Sequence, residues 1–337
     1  MRTRQAVGEQ RLARRTAAAR CAAAVAGIVL VLAGCTPSGT VTQPPTQQAS
    51  AEAGVQPAPA AATETCSDLT QSYAPGKDGA DPDGNAAVQR IRARGALVVG
   101  VSADTLLMGS RNPITGEIEG FDVDMLAAVS TAIFGDDDHL QFRVITSGQR
   151  IEVLENHEVD LVARAFSITC ERWTQIAFSA EYFHAGQKVL VPLDSDATGI
   201  DDLDGRRVCA PEGTTTIERL ADYPGVEAVG AQTHTQCLVL FQQGKVDAIT
   251  GDDTILAGFA AQDPYAKVVG SAISDEPYGI GAAADDVELV RFVNAVLDEV
   301  KADGRWAASY ERWLGALGDA PEPPESVYGR SARGGSS

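Results

Sequence analysis

The stretch VDLVARAFSITCERW, residues 159–173, decides how the rest of the chain is read. Its first half, 159–166, is a largely apolar run of the kind found in strands buried within a parallel sheet, and it breaks at Ser167 into hydroxyls and charge. In open α/β sheets, ligands sit in the crevice beyond the carboxyl ends of the strands. Ser167, Thr169 and Arg172 therefore fall where a small polar ligand would be held. An arginine there offers a planar fork of donors suited to a carboxylate. Taken alone, the pattern fits a surface arginine capping the next helix equally well.

The flanking segments alternate. Residues 86–94 read as a short helix ended by Gly95, and 96–101 as a buried strand. A helix opens at Gly120-Phe121-Asp122, with Asp122 as its N-cap, and runs through Ser130. Residues 140–145 form a strand and 149–156 a helix. Strand and helix in turn predict an α/β lobe with a parallel sheet. After a connecting strand at 188–191, strands at 203–210, 226–231 and 246–250 enclose helices at 215–222 and 235–243. That is a second, smaller lobe. The chain returns through 277–283 and ends in helices at 287–303 and 305–314, the latter carrying Trp306 and Trp313 toward the core. Residues 86–190 and 276–315 are expected to make the first lobe, and 191–275 the second.

The 337 residues carry a net charge of −19, which argues against a nucleic-acid partner, since phosphates demand a basic face. Residues 1–34 hold six arginines and one glutamate, so without them the charge becomes −24. An anionic ligand therefore needs a local basic pocket. Residues 2–20 are arginine-rich and 21–33 apolar but too short to span a bilayer comfortably, the pattern of a signal peptide over 1–34. Leu32-Ala33-Gly34-Cys35 resembles a bacterial lipobox, which would make Cys35 a lipid-bearing new N-terminus on the extracytoplasmic face of the membrane. A plain signal peptide cut near Ala33 is the alternative.

Residues 35–85, rich in Pro, Thr, Gln, Ala, Ser and Gly, read as a flexible tether, and 316–337 as a disordered tail. Export leaves Cys66, Cys170, Cys209 and Cys237, an even number in an oxidising compartment. Of three possible pairings, the preferred one joins Cys209 to Cys237, both in the second lobe, and hence Cys66 to Cys170. No Cys-x-x-Cys spacing exists and the histidines are scattered, so no metal is expected.

In order along the chain stand GFDVDMLAAVS (120–130), SGQRIEVLENHEVD (147–160), the opening stretch, FSAEYFHAGQKVLVP (178–192), LDGRRVCAPEGTTT (203–216), GKVDAITGDD (244–253) and EPYGIG (276–281). This ordered set resembles the polar amino-acid-binding branch of the extracellular solute-binding proteins, family 3. It looks most like the actinobacterial glutamate/glutamine-binding lipoproteins, over roughly 86–315. The resemblance implies a two-lobed periplasmic-binding-protein fold of type II, with a two-strand hinge near Lys188 and Tyr278 and a ligand cleft between the lobes. It implies a monomer without cofactor, closing on an amino acid and handing it to the permease of an ABC importer.

By the same resemblance Arg172 takes the α-carboxylate, helped by Ala165, Ser167 and Thr169. On the opposite lobe Gly213-Thr214-Thr215 grips the same group where a strand turns into a helix N-terminus. Asp252, five residues after Asp247, takes the ammonium, with Asp253 the adjacent candidate. Arg150 matches the position where acidic-amino-acid binders carry an arginine for the distal carboxylate, and Arg164 and Arg111 are further cations for the cleft. Where many relatives have an aromatic-rich segment after the first strand, this chain reads Asp104-Thr105-Leu106-Leu107-Met108-Gly109. Leu107 and Met108 stand there either as an aliphatic wall or as core. The implied ligands are glutamate and aspartate first, then glutamine and asparagine. Two other outputs fit the same fold. One is a receptor reporting to a membrane sensor. The other is an enzyme resembling the periplasmic cyclohexadienyl dehydratases, against which stands the lack of any histidine in a recognised cleft motif.

Overall fold

The structure, a computed structural model, describes residue 66 and residues 69–332. The expected signal peptide, Cys35 and most of the tether lie outside the described residues, as do 333–337.

The first lobe is built on a five-stranded sheet in the order Leu140–Val144, Leu97–Val101, Leu161–Val162, Gly281–Ala283, Ile176–Phe178. The first three run parallel, as the βα alternation requires. Gly281–Ala283 is antiparallel to both of its neighbours, so the sheet is mixed rather than parallel. The reason is the return of the chain, which comes back from the second lobe in the opposite sense and completes the sheet. The second lobe repeats the plan. Glu227–Ala231, Arg207–Pro211 and Ala248–Asp252 are parallel, and Phe183–Pro192 is antiparallel to Ala248–Asp252 on one side and to Ala266–Val269 on the other.

Phe183–Pro192 is also one of the two crossovers. Its first part pairs antiparallel with Asp275–Tyr278, with Tyr278 opposite Phe183 and Asp275 opposite Gly186. These two strands are the hinge, a few residues earlier on the outward pass than Lys188. Beneath them lies an aromatic cluster in which Trp306 is edge-on to Phe121 and stacked with Phe183 and Tyr310.

Helix Ala86–Arg94 starts on the Asn85 side chain, which accepts from the Val88 N–H, and stops at Gly95 in the left-handed conformation. Helix Phe121–Phe134 departs from expectation at its start, because its cap is Gly120 and Asp122 is turned inward. Gly120 has φ +145°, and a Cβ there would overlap the Met108 carbonyl, so only glycine fits. The strand expected over 159–166 shrinks to Leu161–Val162. Ala165 adopts φ +41° and donates its N–H to Asp122 Oδ2 at 2.8 Å, which takes the chain out of the sheet at the edge of the cleft. Helix Asp253–Gln262 and the short strands Asp104–Thr105, Gly109–Arg111 and Ile118–Glu119 were not expected.

Both ends of the described chain are packed, so residues 69–85, the distal part of the expected tether, and 316–332, within the expected disordered tail, are held against the body. Tyr73 is buried, Ser72 pairs with Tyr328, and Asn294 donates to the Ser72 hydroxyl and the Tyr73 carbonyl. Trp173 Nε1 donates to the Leu69 carbonyl, and the Arg330 guanidinium lies 3.7 Å from the centre of the Trp173 ring. A few aromatic and hydrogen-bonding residues dock these low-complexity segments. Both preferred disulfides form, Cys66–Cys170 and Cys209–Cys237, with Cα separations of 5.8 and 5.6 Å.

Candidate functional site

The lobes meet around a cavity lined from the first lobe by Ser102, Met108, Asp122, Arg150, Arg164 and Ser167, and from the second by Thr214, Thr215, His234 and Asp252. Contact across the cleft is direct. Arg150 Nη2 donates to the Gly213 carbonyl at 3.1 Å, and the Thr235 hydroxyl to the Asp104 carbonyl at 2.9 Å. Gly213 has φ +68°, and a Cβ there would sit 2.9 Å from Gly148 Cα in the other lobe. Close approach of the two glycines is what lets the lobes touch.

Three buried guanidinium groups gather on the first-lobe side. Arg150 donates only to main-chain carbonyls, those of Ser147, Arg164, Ala165 and Gly213, and lies 4.3 Å above the Phe166 ring. Arg172 donates to the Ser167 carbonyl at 2.7 Å and approaches the same ring at 5.1 Å. Arg164 is held by the Ile145 carbonyl and the Ser147 hydroxyl, with Asp104 3.9 Å away. Among the described residues neither Arg150 nor Arg172 has a carboxylate in ion-pair range. Burial, reinforced by Arg172 and Arg164, pushes Arg150 well below the usual arginine range. A buried charge without a counter-ion is costly, so this group is built to receive an anion.

Asp252 stands opposite. It occupies the N-cap of helix Asp253–Gln262 without capping it. Instead Oδ2 accepts from the Tyr278 hydroxyl, while Oδ1, fully buried, has no partner. Burial, with the charge of Glu276, raises its carboxyl to about 8. Asp122 is the counterpart in the first lobe, accepting from Tyr182 OH and Ala165 N–H. Burial outweighs those bonds and lifts it to about 6. Thr214 caps helix Thr215–Arg219 by accepting from the Ile217 N–H, and Thr215 donates to Glu276. That helix is only five residues long, so its macrodipole is small, and the turn offers hydroxyls more than a field.

The chain matches the bacterial extracellular solute-binding proteins, family 3, over residues 97–316. It belongs to that family. The ABC transporter glutamine-binding protein GlnH of Bacillus subtilis is 34% identical over 226 residues, 66% of this chain and 83% of that protein. The glutamate-binding protein GluB of Corynebacterium efficiens is 34% identical over 247 residues, 69% of this chain and 82% of that protein. Among solved structures, an ancestral arginine-binding protein bound to glutamine superposes with a TM-score of 0.62 at 30% identity, covering 66% of this chain and 99% of that one. Holo ArgBP from T. maritima gives 0.60 at 31%, with 67% and 99% coverage. This family 3 protein is therefore a substrate-binding protein with a two-lobed fold, and not an enzyme.

The sequence-derived residues of this family 3 protein fall into three groups. Ala165, Ser167, Arg150, Arg164, Thr214, Thr215 and Asp252 all line the cavity. Arg172 and Gly213 do not line it but bond to residues that do, Arg172 donating to the Ser167 carbonyl and the Gly213 carbonyl accepting from Arg150, and Thr169 is half-buried as the cap of helix Cys170–Gln175, accepting from the Arg172 N–H. Arg111 is not part of the site. It is exposed on a hairpin and its guanidinium turns back to the Gly116 carbonyl. Leu107 packs against the core with φ +77°, whereas Met108, fully buried, lines the cavity. Asp253 faces a separate groove beside His184, Lys188 and Tyr310, which leaves Asp252 as the second-lobe acid in the cleft.

Sequence reasoning missed Asp122 and His234. Asp122 was read as a helix cap. A lone histidine after Thr233 carries no signal of its own, yet His234 is buried against the cavity with neither ring nitrogen hydrogen-bonded.

Proposed function

We propose that this chain is the lipid-anchored, extracytoplasmic receptor of an amino-acid importer, closing on glutamate or glutamine. The reading rests on one observation, that among the described residues buried Arg150 and Arg172 have no anion within ion-pair reach while the buried Asp252 keeps one oxygen free. A zwitterionic α-amino acid supplies both missing charges. Its carboxylate goes to Arg172, with Ser167 and Thr214, and its ammonium to Asp252. The side chain extends toward Arg150 and Arg164, so an acidic or amidic end group is favoured. A guanidinium or ammonium end group would meet buried cations, whose repulsion is strong in a desolvated cleft.

Because the ligand bridges both lobes, its contacts are complete only in the closed state, which binding stabilises. The glutamine- and glutamate-binding relatives support this ligand class. Cys35 is the proposed lipid attachment, and the permease of an ABC transporter the proposed recipient. The test is calorimetric titration of residues 66–337 with glutamate, glutamine, aspartate, asparagine, arginine and histidine. Binding at about micromolar or tighter is expected for glutamate and glutamine, with arginine weaker by about a hundredfold or more. Silence across the panel from a folded protein would overturn the reading.

A pH dependence follows from Asp252. In the free closed cleft its raised carboxyl is protonated below about 8, whereas the ammonium requires the anion. Binding at pH 7 therefore releases a proton, and rising pH favours the complex. Affinity should climb between pH 6 and 8, and the binding enthalpy should vary with the ionisation enthalpy of the buffer. A flat affinity over that range, with no buffer dependence, would contradict it.

A further inference from the structure

We infer that Cys66, residues 69–73 and residues 327–330, all outside the family-matched 97–316, form a clasp that positions Arg172 for the ligand carboxylate by holding Cys170 and Trp173. The inference rests on the amino-acid reading above, and concerns what fixes the arginine rather than which group it takes.

Shortness is the first ground. Helix Cys170–Gln175 has six residues, and its two buried side chains are those of Arg172 and Trp173. A helix of this length is not stable by itself, so its position is set by whatever its side chains are tied to. On the site side, Arg172 donates to the carbonyl of Ser167, a residue of the cavity lining. The ties on Cys170 and Trp173 come from the two ends of the chain.

Those ties are the second ground. Cys170 is joined to Cys66 by a disulfide. The Trp173 indole N–H donates to the Leu69 carbonyl at 2.8 Å, Tyr73 meets the same side chain edge-on, and the Arg330 guanidinium lies 3.7 Å from the ring centre. These partners are also bound to one another. Arg330 Nε donates to the Gln71 carbonyl at 2.7 Å, and the Ser72 N–H to the Val327 carbonyl at 2.8 Å. The clasp is fixed to the body in turn, because the buried Ser72 hydroxyl donates to the Phe178 carbonyl and accepts from Asn294. Two segments far apart in sequence thus close together on one short helix.

Continuous packing is the third. Trp173 packs edge-on against Phe178 and Phe178 edge-on against Phe166, whose ring lies beneath both Arg172 and Arg150. In a close-packed interior a shift of Trp173 is passed along these rings to the surface on which the two guanidinium groups rest. A bidentate contact with a carboxylate depends on orientation as well as charge. A guanidinium already held in its bound geometry loses less freedom when the ligand arrives, and binding is tighter for it.

The test compares the full-length chain with two clasp variants, each made with Arg172 present and with Arg172→Ala. Cys66→Ser combined with Cys170→Ser removes one disulfide and keeps Cys209–Cys237, while Arg330→Gln removes the cation over Trp173 and keeps both. All six proteins are titrated with glutamine, and the denaturant midpoint of each confirms that affinity is read on folded protein. With Arg172 present, the paired serine variant should bind about tenfold more weakly, and Arg330→Gln about threefold more weakly or worse. On Arg172→Ala the same changes should alter affinity by less than about twofold, because nothing is left to position. A general loss of structure would instead weaken both backgrounds alike. Should the serine pair not fold, Arg330→Gln carries the same comparison. Equal losses in both backgrounds, or normal affinity in both clasp variants, would overturn the clasp while leaving the receptor reading intact. Failure of the wild type to bind glutamine would overturn both.

Discussion

Asp252→Ala is expected to weaken glutamate and glutamine binding by about a hundredfold or more, which at ~1.4 kcal/mol per decade is roughly 3 kcal/mol. The size follows from burial. Asp252 is 4% exposed and its free oxygen lies in the cavity, so the ligand ammonium that meets it is desolvated on closure. Truncation leaves that ammonium buried without an anion, which is the costly way to break an ion pair. Arg172→Ala should cost a similar amount by stranding the α-carboxylate. Asp253→Ala, in the separate groove, should change affinity less than about threefold. Titration calorimetry on the three variants checks the set, and near-normal affinity in both Asp252→Ala and Arg172→Ala would remove them from the site.

Trp306→Ala is expected to destabilise the ligand-free body by about 3–5 kcal/mol. Trp306 is 1% exposed, its indole N–H donates to the Tyr182 carbonyl at 2.7 Å, and its ring is enclosed by Phe121, Phe183 and Tyr310. Truncation opens a cavity, removes the aromatic contacts and orphans a buried carbonyl directly under the hinge. Denaturant unfolding should show a lower midpoint with an unchanged m-value. A loss under about 1 kcal/mol would mean that the aromatic cluster collapses around the gap.

The fold was legible where local signals were redundant. Helix Arg305–Leu314 and helix Ala86–Arg94 have strong periodicity and clear stops, and both fall at the expected residues. The parallel strands followed from apolar runs between helices. Elements of two or three residues, such as Leu161–Val162 or the hairpin around Gly109–Arg111, carry too little pattern to be seen. For the same reason nothing indicated that Arg111 turns outward. Helix Asp253–Gln262 was hidden because it begins inside the acidic motif and is apolar nearly all round, so it shows little periodicity.

Within the site, residue types announced charges but not pairings. An arginine at the end of a strand reads as an anion binder whether or not its charge is met, and only the fold shows Arg150 and Arg172 without carboxylates. Asp122 shows the reverse error. Gly-Phe-Asp before a helix reads as a cap, yet the φ of Gly120 lets the helix start earlier and frees Asp122 to hold Ala165 and Tyr182. The terminal segments were misjudged from composition, because Leu69, Tyr73, Tyr328 and Arg330 are few among Pro, Gly and Ser but each meets a prepared partner.

The central claim is that the free oxygen of Asp252 is the counter-ion of an amino-acid ammonium. Its most direct test is a cycle in which wild type and Asp252→Asn are each titrated with L-glutamine and with glutaric acid monoamide, which lacks only the α-ammonium. Coupling isolates the pair from other effects of either change. The predicted result is a loss of about a hundredfold for the ammonium-free ligand on the wild type and of less than about tenfold on Asp252→Asn. Equal losses on both proteins would contradict the account and place the ammonium elsewhere in the cleft.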